Sequence, residues 1–206
     1  MPEPAEDVYA RIVEAVGPDG HLPMPAQGGW DIFPWTVVDG VIAPRTLAPP
    51  ADEEPRYGES PDKPCGLCQD GVDAARVVWE DELWVLTHHG APSGLPLVLT
   101  LSTREHQDMG ELDDELASQL GRITNRLVRI IENLPHIGRV HVNRWGDGGS
   151  HFHQWFFART ARLPHVLGST AVDWDDIIPP GPEDVWRADL HLVATKLANW
   201  GGDARA

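Results

Sequence analysis

Apolar residues recur at helical spacing in two stretches of the chain. Val8, Ile12, Val13 and Val16 do so before Gly17-Pro18, which predicts a short peripheral amphipathic helix over 5–16. Leu112, Leu116, Leu120, Ile123, Leu127, Ile130, Ile131 and Leu134 form one stripe that begins near Met109 and spans about six turns. A third helix is predicted from its start signal: Pro182 stands in the first turn with Glu183 and Asp184 beside it, and the segment runs as a packing element to about Trp200.

Between these helices the pattern shortens to strands. Trp35-Thr36-Val37-Val38 and Val41-Ile42-Ala43 flank Asp39-Gly40, a favoured two-residue hairpin turn. Residues 76–80 and 83–87 form a second hairpin about Asp81-Glu82, residues 95–101 a third apolar strand, and 139–143 another. After Gly146-Asp147-Gly148-Gly149 the chain reads Ser150-His151-Phe152-His153-Gln154-Trp155-Phe156-Phe157. In a strand, residues two apart share a face, so His151, His153, Trp155 and Arg159 point one way, and Phe152, Gln154 and Phe156 the other. The long helix is expected to cover one face of the resulting sheet. Residues 48–64, rich in Pro, Asp and Glu, read as an extended arm, and 163–181 as loop. No internal repeat is present. The organisation expected is a helix, hairpin and acidic arm over 1–64, then one domain over 65–206 that ends in a helical extension.

Charge narrows the possible partners. With 206 residues and a formal charge of −16, the chain lacks the basic footprint that a sequence-independent nucleic-acid binder needs. A small phosphorylated ligand is still compatible, because a few backbone amides and one or two histidines or arginines hold it locally. No apolar run approaches the length of a membrane span, and the start Met1-Pro2-Glu3-Pro4 lacks the basic and apolar regions of a secretory leader, so a soluble cytoplasmic protein is expected.

Cys65 and Cys68 are the only cysteines, too few for a disulfide scaffold. A C-x-x-C pair is either a redox couple or half of a zinc site. Here it follows a Pro-rich loop and precedes Gln69-Asp70-Gly71, which does not read as the helix start that a redox pair uses, so the zinc half-site is favoured. Two histidines on one strand face suggest a metal ligand, a nucleophile, or both, since imidazole must satisfy two ring nitrogens wherever it is buried.

Cys65-x-x-Cys68, then Leu97-Val98-Leu99-Thr100-Leu101-Ser102-Thr103-Arg104-Glu105-His106, then Asn143, a Gly-rich turn and Ser150-His151-Phe152-His153, resemble in their order the histidine triad superfamily. The Trp-containing hairpin and Pro-Cys-Gly-Leu-Cys make the chain more similar to the galactose-1-phosphate uridylyltransferase branch than to the smallest hydrolases. The resemblance covers roughly residues 65–160 and implies an α+β, HIT-like fold, an antiparallel sheet covered by the long helix. It implies structural zinc held by Cys65, Cys68, His106 and His151, with His88 or His89 as substitutes for His106. His153 corresponds to the nucleophile that forms a covalent nucleotidyl-histidine, and such an intermediate divides one displacement into two easier ones. The residues expected to bind phosphate or act beside the nucleophile are Asn143, Gly148, Gly149 and Ser150, together with Gln154 and Trp155.

Trp155 departs from the family pattern, which has His or Gln at that position. An indole donates one N–H and neither accepts nor shuttles a proton. Gln154 replaces the missing group only if a bulge turns it to the other face. The function implied is nucleotidyl transfer to, or hydrolysis of, a nucleotide conjugate such as a nucleotide sugar or dinucleoside polyphosphate, by a homodimer. The alternatives are a nucleotide-binding or regulatory module without turnover, and a zinc hydrolase with three protein ligands and water in the fourth position. His141 shares the strand face of Asn143. Most of the nine tryptophans are expected to serve packing.

Overall fold

The computed structural model describes residues 1–25 and 32–206. Trp30 lies outside them. Ala5–Ala15 (α1) is followed by an antiparallel hairpin of Trp35–Val38 (β1) and Val41–Pro44 (β2). Its turn residues Asp39 and Gly40 both take positive φ, 50° and 78°, as a right-twisted two-residue connection requires. Gly66–Asp70 (α2) is a short helix. Val77–Glu80 (β3), Trp84–His88 (β4) and Leu97–Thr103 (β5) precede the long helix Asp114–Glu132 (α3). Ile137–Asn143 (β6) and His153–Thr160 (β7) come next, then Asp173–Ile177 (α4), Glu183–Ala198 (α5) and Asp203–Ala204 (β8). The main sheet has six strands in the order β6-β7-β5-β4-β3-β8, every neighbouring pair antiparallel. The class is α+β, as expected.

The long helix starts later than its stripe suggests. A 3₁₀ turn at Met109–Glu111 is closed by an Asp108–Glu111 capping box, and the chain then extends to Asp113, whose carboxylate accepts the Leu116 amide at 2.8 Å. The buried stripe Leu116, Leu120, Ile123, Leu127, Ile130 and Ile131 packs with α5 on one face of the sheet, against Leu97, Leu99, Leu101 and Phe156. On the opposite face Val98 and Phe157 join Ala5 and Val8 of α1 and the segment that includes Leu163, Val166, Ala171 and Ile178. Thus α1 is part of a second core and not peripheral. The 163–181 segment also holds more helix than its composition suggests, a 3₁₀ turn at Gly168–Ala171 followed by α4.

Two elements run against sequence expectation. Cys65 is the N-cap of α2, so the C-x-x-C pair does open a helix, although one of only five residues. The two-residue β8 lies against Trp79 and Glu80 through a turn at Gly202, where φ is 73° and a Cβ would stand 2.5 Å from the Glu80 carbonyl. Among the described residues no helix is long and apolar enough to cross a membrane.

Candidate metal and nucleophile site

Two histidines two positions apart are separated by the start of a strand. Pairing on β7 begins at His153, opposite Ser102, so His151 lies just ahead of the strand and does not share its regular alternation. Phe152 between them is fully buried in the helix-side core, edge-on to Trp84 at 5.7 Å between ring centroids. This anchor holds the imidazoles apart: His151 turns into the protein, whereas His153 stays half-exposed on the sheet face away from α3.

His151 joins Cys65, Cys68 and His106. The four ligand atoms lie within 4.8 Å of one another. His151 Nδ1 is 3.5 Å from both sulfurs, and His106 Nδ1 is 3.3 Å from Cys68 Sγ. Tetrahedral zinc, with sulfur at about 2.3 Å and nitrogen at about 2.0–2.1 Å, sets a sulfur–nitrogen edge of roughly 3.5 Å, so the set fits that ion. The outer nitrogens agree. His151 Nε2 faces the Thr103 carbonyl at 2.8 Å, an acceptor only, so Nε2 carries the proton and Nδ1 keeps its lone pair toward the sulfurs. His106 Nε2 donates to Ser150 Oγ at 3.1 Å, and Ser150 Oγ donates to the Tyr57 carbonyl at 3.2 Å, which fixes the same tautomer by relay. Burial lowers the His151 pKa, keeping the ring neutral, the form that ligates metal. Desolvation and the neighbouring Cys65 raise the Cys68 thiol, so a cation is needed to hold its thiolate. His88 and His89 are engaged elsewhere: His88 between the Ala75 carbonyl and the Gly90 amide, His89 on Thr100 Oγ1 at 2.9 Å.

The arm closes this end of the sheet. Tyr57 pairs in parallel with Gly149: its amide donates to the Gly148 carbonyl and its carbonyl accepts the Ser150 amide, both at 3.0 Å. Arg56 donates to the Gly146 carbonyl at 3.0 Å and pairs with Asp108 at 2.8 Å, and Arg144 pairs with the same carboxylate. Burial works against the Asp108 charge, but the Met109 amide and the two guanidiniums outweigh it and hold the carboxyl below its ordinary range. Gly58 has a φ of 99°, and a Cβ there would lie 2.6 Å from both His106 Cε1 and Ser150 Oγ. Arg56, Tyr57, Gly58 and Thr103 are site residues that motif spacing does not reveal. Three of them act through backbone groups or close approach, and only the glycine leaves a trace in the sequence.

At His153, Nδ1 lies 2.9 Å from the His151 carbonyl. That oxygen only accepts, so Nδ1 bears a proton, and in the neutral tautomer the lone pair is on Nε2. Its strand-face neighbours are Ser102 opposite, then Thr100, Trp155 and Asn143 one step along. Trp155 is held as one leaf of a ring stack, parallel to His89 at 4.5 Å and to Phe157 at 5.5 Å between centroids, with Trp145 edge-on to both Trp155 and Phe157. Burial, with Arg76 and His88 nearby, lowers the His89 pKa. The stack walls a cleft of about 540 Å³.

The predicted residues therefore separate. Cys65, Cys68, His106 and His151 come together, and Ser150 touches them through His106, not as a group aimed at His153. Asn143 and Trp155 oppose each other beside His153. Gln154 does not join them: the β5–β7 register is regular through His153, so the bulge it needs is missing, and its amide donates to Thr124 of α3 at 2.7 Å. His141 lies opposite Phe157, four residues or about 13 Å beyond His153, and Arg159 is farther still.

No protein-family model and no curated protein matches the chain. Solved structures do. A hypothetical histidine triad nucleotide-binding protein from Sulfolobus tokodaii is 13% identical, with 66% of this chain and 91% of that one covered, at a TM-score of 0.46. A zinc-bound histidine triad family protein from Mycobacterium smegmatis is 18% identical, with 66% and 92% covered, at 0.43. A uridylyltransferase mutant is 15% identical, with 61% and 45% covered, at 0.37. The similarity to the two histidine triad structures extends over 66% of this chain.

Proposed function

We propose that the chain transfers or hydrolyses the nucleotidyl group of a nucleotide conjugate, with His153 Nε2 as the nucleophile. The observation that carries this is the 2.9 Å contact of His153 Nδ1 with the His151 carbonyl, which takes up the Nδ1 proton in a hydrogen bond, so that the neutral tautomer has its lone pair on the outer nitrogen. Attack at the α-phosphorus forms a nitrogen–phosphorus bond and expels the other half of the conjugate on its bridging oxygen. Nδ1 keeps its proton and shares the developing imidazolium charge with the carbonyl. Water or an acceptor phosphate then displaces the nucleotidyl group and regenerates the imidazole. Asn143, which lies opposite Trp155 on the neighbouring strand, and the amides of Gly148 and Gly149 would position phosphate oxygens.

Cys65, Cys68, His106 and His151 would hold zinc as a closed set, a structural role in which the ion ties α2 to the segment that leads into β7. The convergence of four protein donors favours this over a catalytic site with water as the fourth ligand. Ser150 keeps His106 in its ligating tautomer. Trp155 favours a second reading, a module that binds nucleotide without turnover, because its stacked ring offers no group to carry a proton.

One experiment separates these. Zinc-loaded protein and His153→Ala are incubated with nucleotide sugars and dinucleoside polyphosphates, and products and intact protein mass are followed at neutral pH. Turnover, with or without a trapped nucleotidyl adduct, that disappears in His153→Ala is the expected result. Equal activity in the variant would sink the nucleophile assignment, and saturable nucleotide binding without product would establish the binding module.

A further inference from the structure

At one end of the sheet face away from α3, basic side chains gather without an acid to balance them. Arg139 of β6 stands directly opposite Arg159 of β7, and His141, opposite Phe157, is the diagonal neighbour of Arg159 on the same face. Like charges set opposite each other across a strand pair destabilise it. The chain carries −16 and pairs Arg11, Arg56, Arg104, Arg144 and Arg162 with carboxylates. Arg139 and Arg159 have no such partner among the described residues: Arg139 donates to the Gly138 carbonyl at 2.7 Å and Arg159 to the Thr160 carbonyl at 3.4 Å. Glu132, at the end of α3, accepts the Val140 amide and pairs with neither.

Three further observations show how this cluster is built. Arg159 Nε and His141 Nε2 are buried with no hydrogen-bond partner among the described residues, although each residue as a whole is only half-buried. Burial and then the Arg159 guanidinium lower the His141 pKa, and no carboxylate acts in the other direction. Gly138 leaves room, since a Cβ there would lie 2.7 Å from Arg159 Nη1 and push the guanidinium aside.

We infer that Arg139, His141 and Arg159 bind a phosphate dianion, either the free ion or the phosphoryl group of a small metabolite. Charge selects this occupant: two guanidiniums are balanced by a phosphate, about −1.5 to −2 at pH 7, and not by a single carboxylate. Each guanidinium also presents a planar fork of N–H donors that suits a phosphate's oxygens. The site is distinct from that of the reacting phosphorus, because Arg159 lies six residues, or about 20 Å of strand, beyond His153, with Trp155 and Phe157 between them.

The test is calorimetric titration of the full-length, zinc-loaded chain with inorganic phosphate and with glycerol phosphate at constant ionic strength, with acetate as the carboxylate control. His153→Ala is titrated in parallel, so that phosphate held at the nucleophile is separated from phosphate held here and the outcome does not depend on the nucleotidyl reading. The expected result is saturable binding of a phosphate probe by both proteins, none of acetate, and an affinity about tenfold or more weaker in Arg139→Gln and in Arg159→Gln. Tighter binding of glycerol phosphate assigns a phosphorylated metabolite, and tighter binding of inorganic phosphate assigns the free ion. In phosphate-free buffer each Gln variant is expected to melt above the wild type, because the opposed charges are gone, whereas added phosphate raises the midpoint of the wild type more than that of either variant. Undiminished binding in Arg159→Gln, binding that disappears in His153→Ala, acetate binding as tight as phosphate, or no saturable binding by the wild type would each overturn the inference.

Discussion

The two faces of the central sheet are made from alternate residues of the same strands, yet they do different work. Beneath α3 and α5, Leu97, Leu99, Leu101 and Phe156 are fully buried in a close-packed layer. One residue along each strand, Val98, Thr100, Ser102, His153 and Trp155 turn to the other side, where α1 and the loops before α5 cover only the end distant from His153. The helix-covered face is filled by packing, whereas the other leaves His153 half-exposed and a cleft along the ring stack. The step from Gln154 to Trp155 shows how sharp the division is: the first is fixed to Thr124 of α3, the second stands in a ring stack beside His153.

The largest effect that would sharpen this contrast is metal removal. Zinc at a Cys₂His₂ set contributes on the order of 10 kcal/mol of binding energy. Bound by Cys65, Cys68, His106 and His151, it would tie α2 to the segment before β7, against which Tyr57 of the arm also pairs, outside the layer under α3. Chelation is therefore expected to strip hydrogen-exchange protection from residues 56–70 and 146–153 first, with the amides of α3 and β5 protected longest. Simultaneous loss everywhere would mean that the metal end and the core form one cooperative unit.

Core truncation should divide the faces next. Phe156→Ala removes a fully buried ring from the helix side and is expected to cost about 3–5 kcal/mol in urea unfolding. Trp155→Phe, on the half-covered face, keeps a ring in the stack and is expected to cost less than about 1.5 kcal/mol. Similar costs would show that both faces are packed alike. A smaller loss, about 1 kcal/mol, is expected from Thr124→Ala, which leaves the Gln154 amide without its partner. Product formation in that variant should be unchanged, because Gln154 faces away from His153.

The smallest effect is one of pH. Burial lowers the His89 pKa in the folded chain below its ordinary 6.5, so between the two values the unfolded chain binds a proton that the folded chain refuses. The resulting stability is complete above pH 6.5 and declines as pH falls toward the folded-state value. His89→Asn should flatten this part of the urea-midpoint profile, and an unaltered slope would remove His89 from the cause.

Several of these features were legible in the residues. The apolar stripe of α3, the alternation along β7 and the Asp39-Gly40 turn each follow from local geometry, and the structure keeps them. The meeting of Cys65, Cys68, His106 and His151 was implied by the resemblance to the histidine triad superfamily, and the structure brings the four together. Other features were not. Nothing local reveals that Tyr57 lies against Gly149, or that the arm of 48–64 holds a segment docked beside Ser150, since those bonds are backbone to backbone across a long stretch of chain. The two-residue β8 has no periodicity to detect, and α2 is too short to show one.

The sequence by itself determined which side chains alternate, where the long helix runs, and which residue types are available for metal and nucleophile chemistry, because these depend on spacing along one element. Only the tertiary structure decided what each histidine does. His151 and His153 are the same residue two positions apart. One is turned inward ahead of the strand, with a carbonyl on Nε2 and two thiols at Nδ1; the other sits on the strand, with a carbonyl on Nδ1 and its lone pair outward. Which nitrogen meets a carbonyl fixes the tautomer, and that meeting is made by distant segments brought together in the fold.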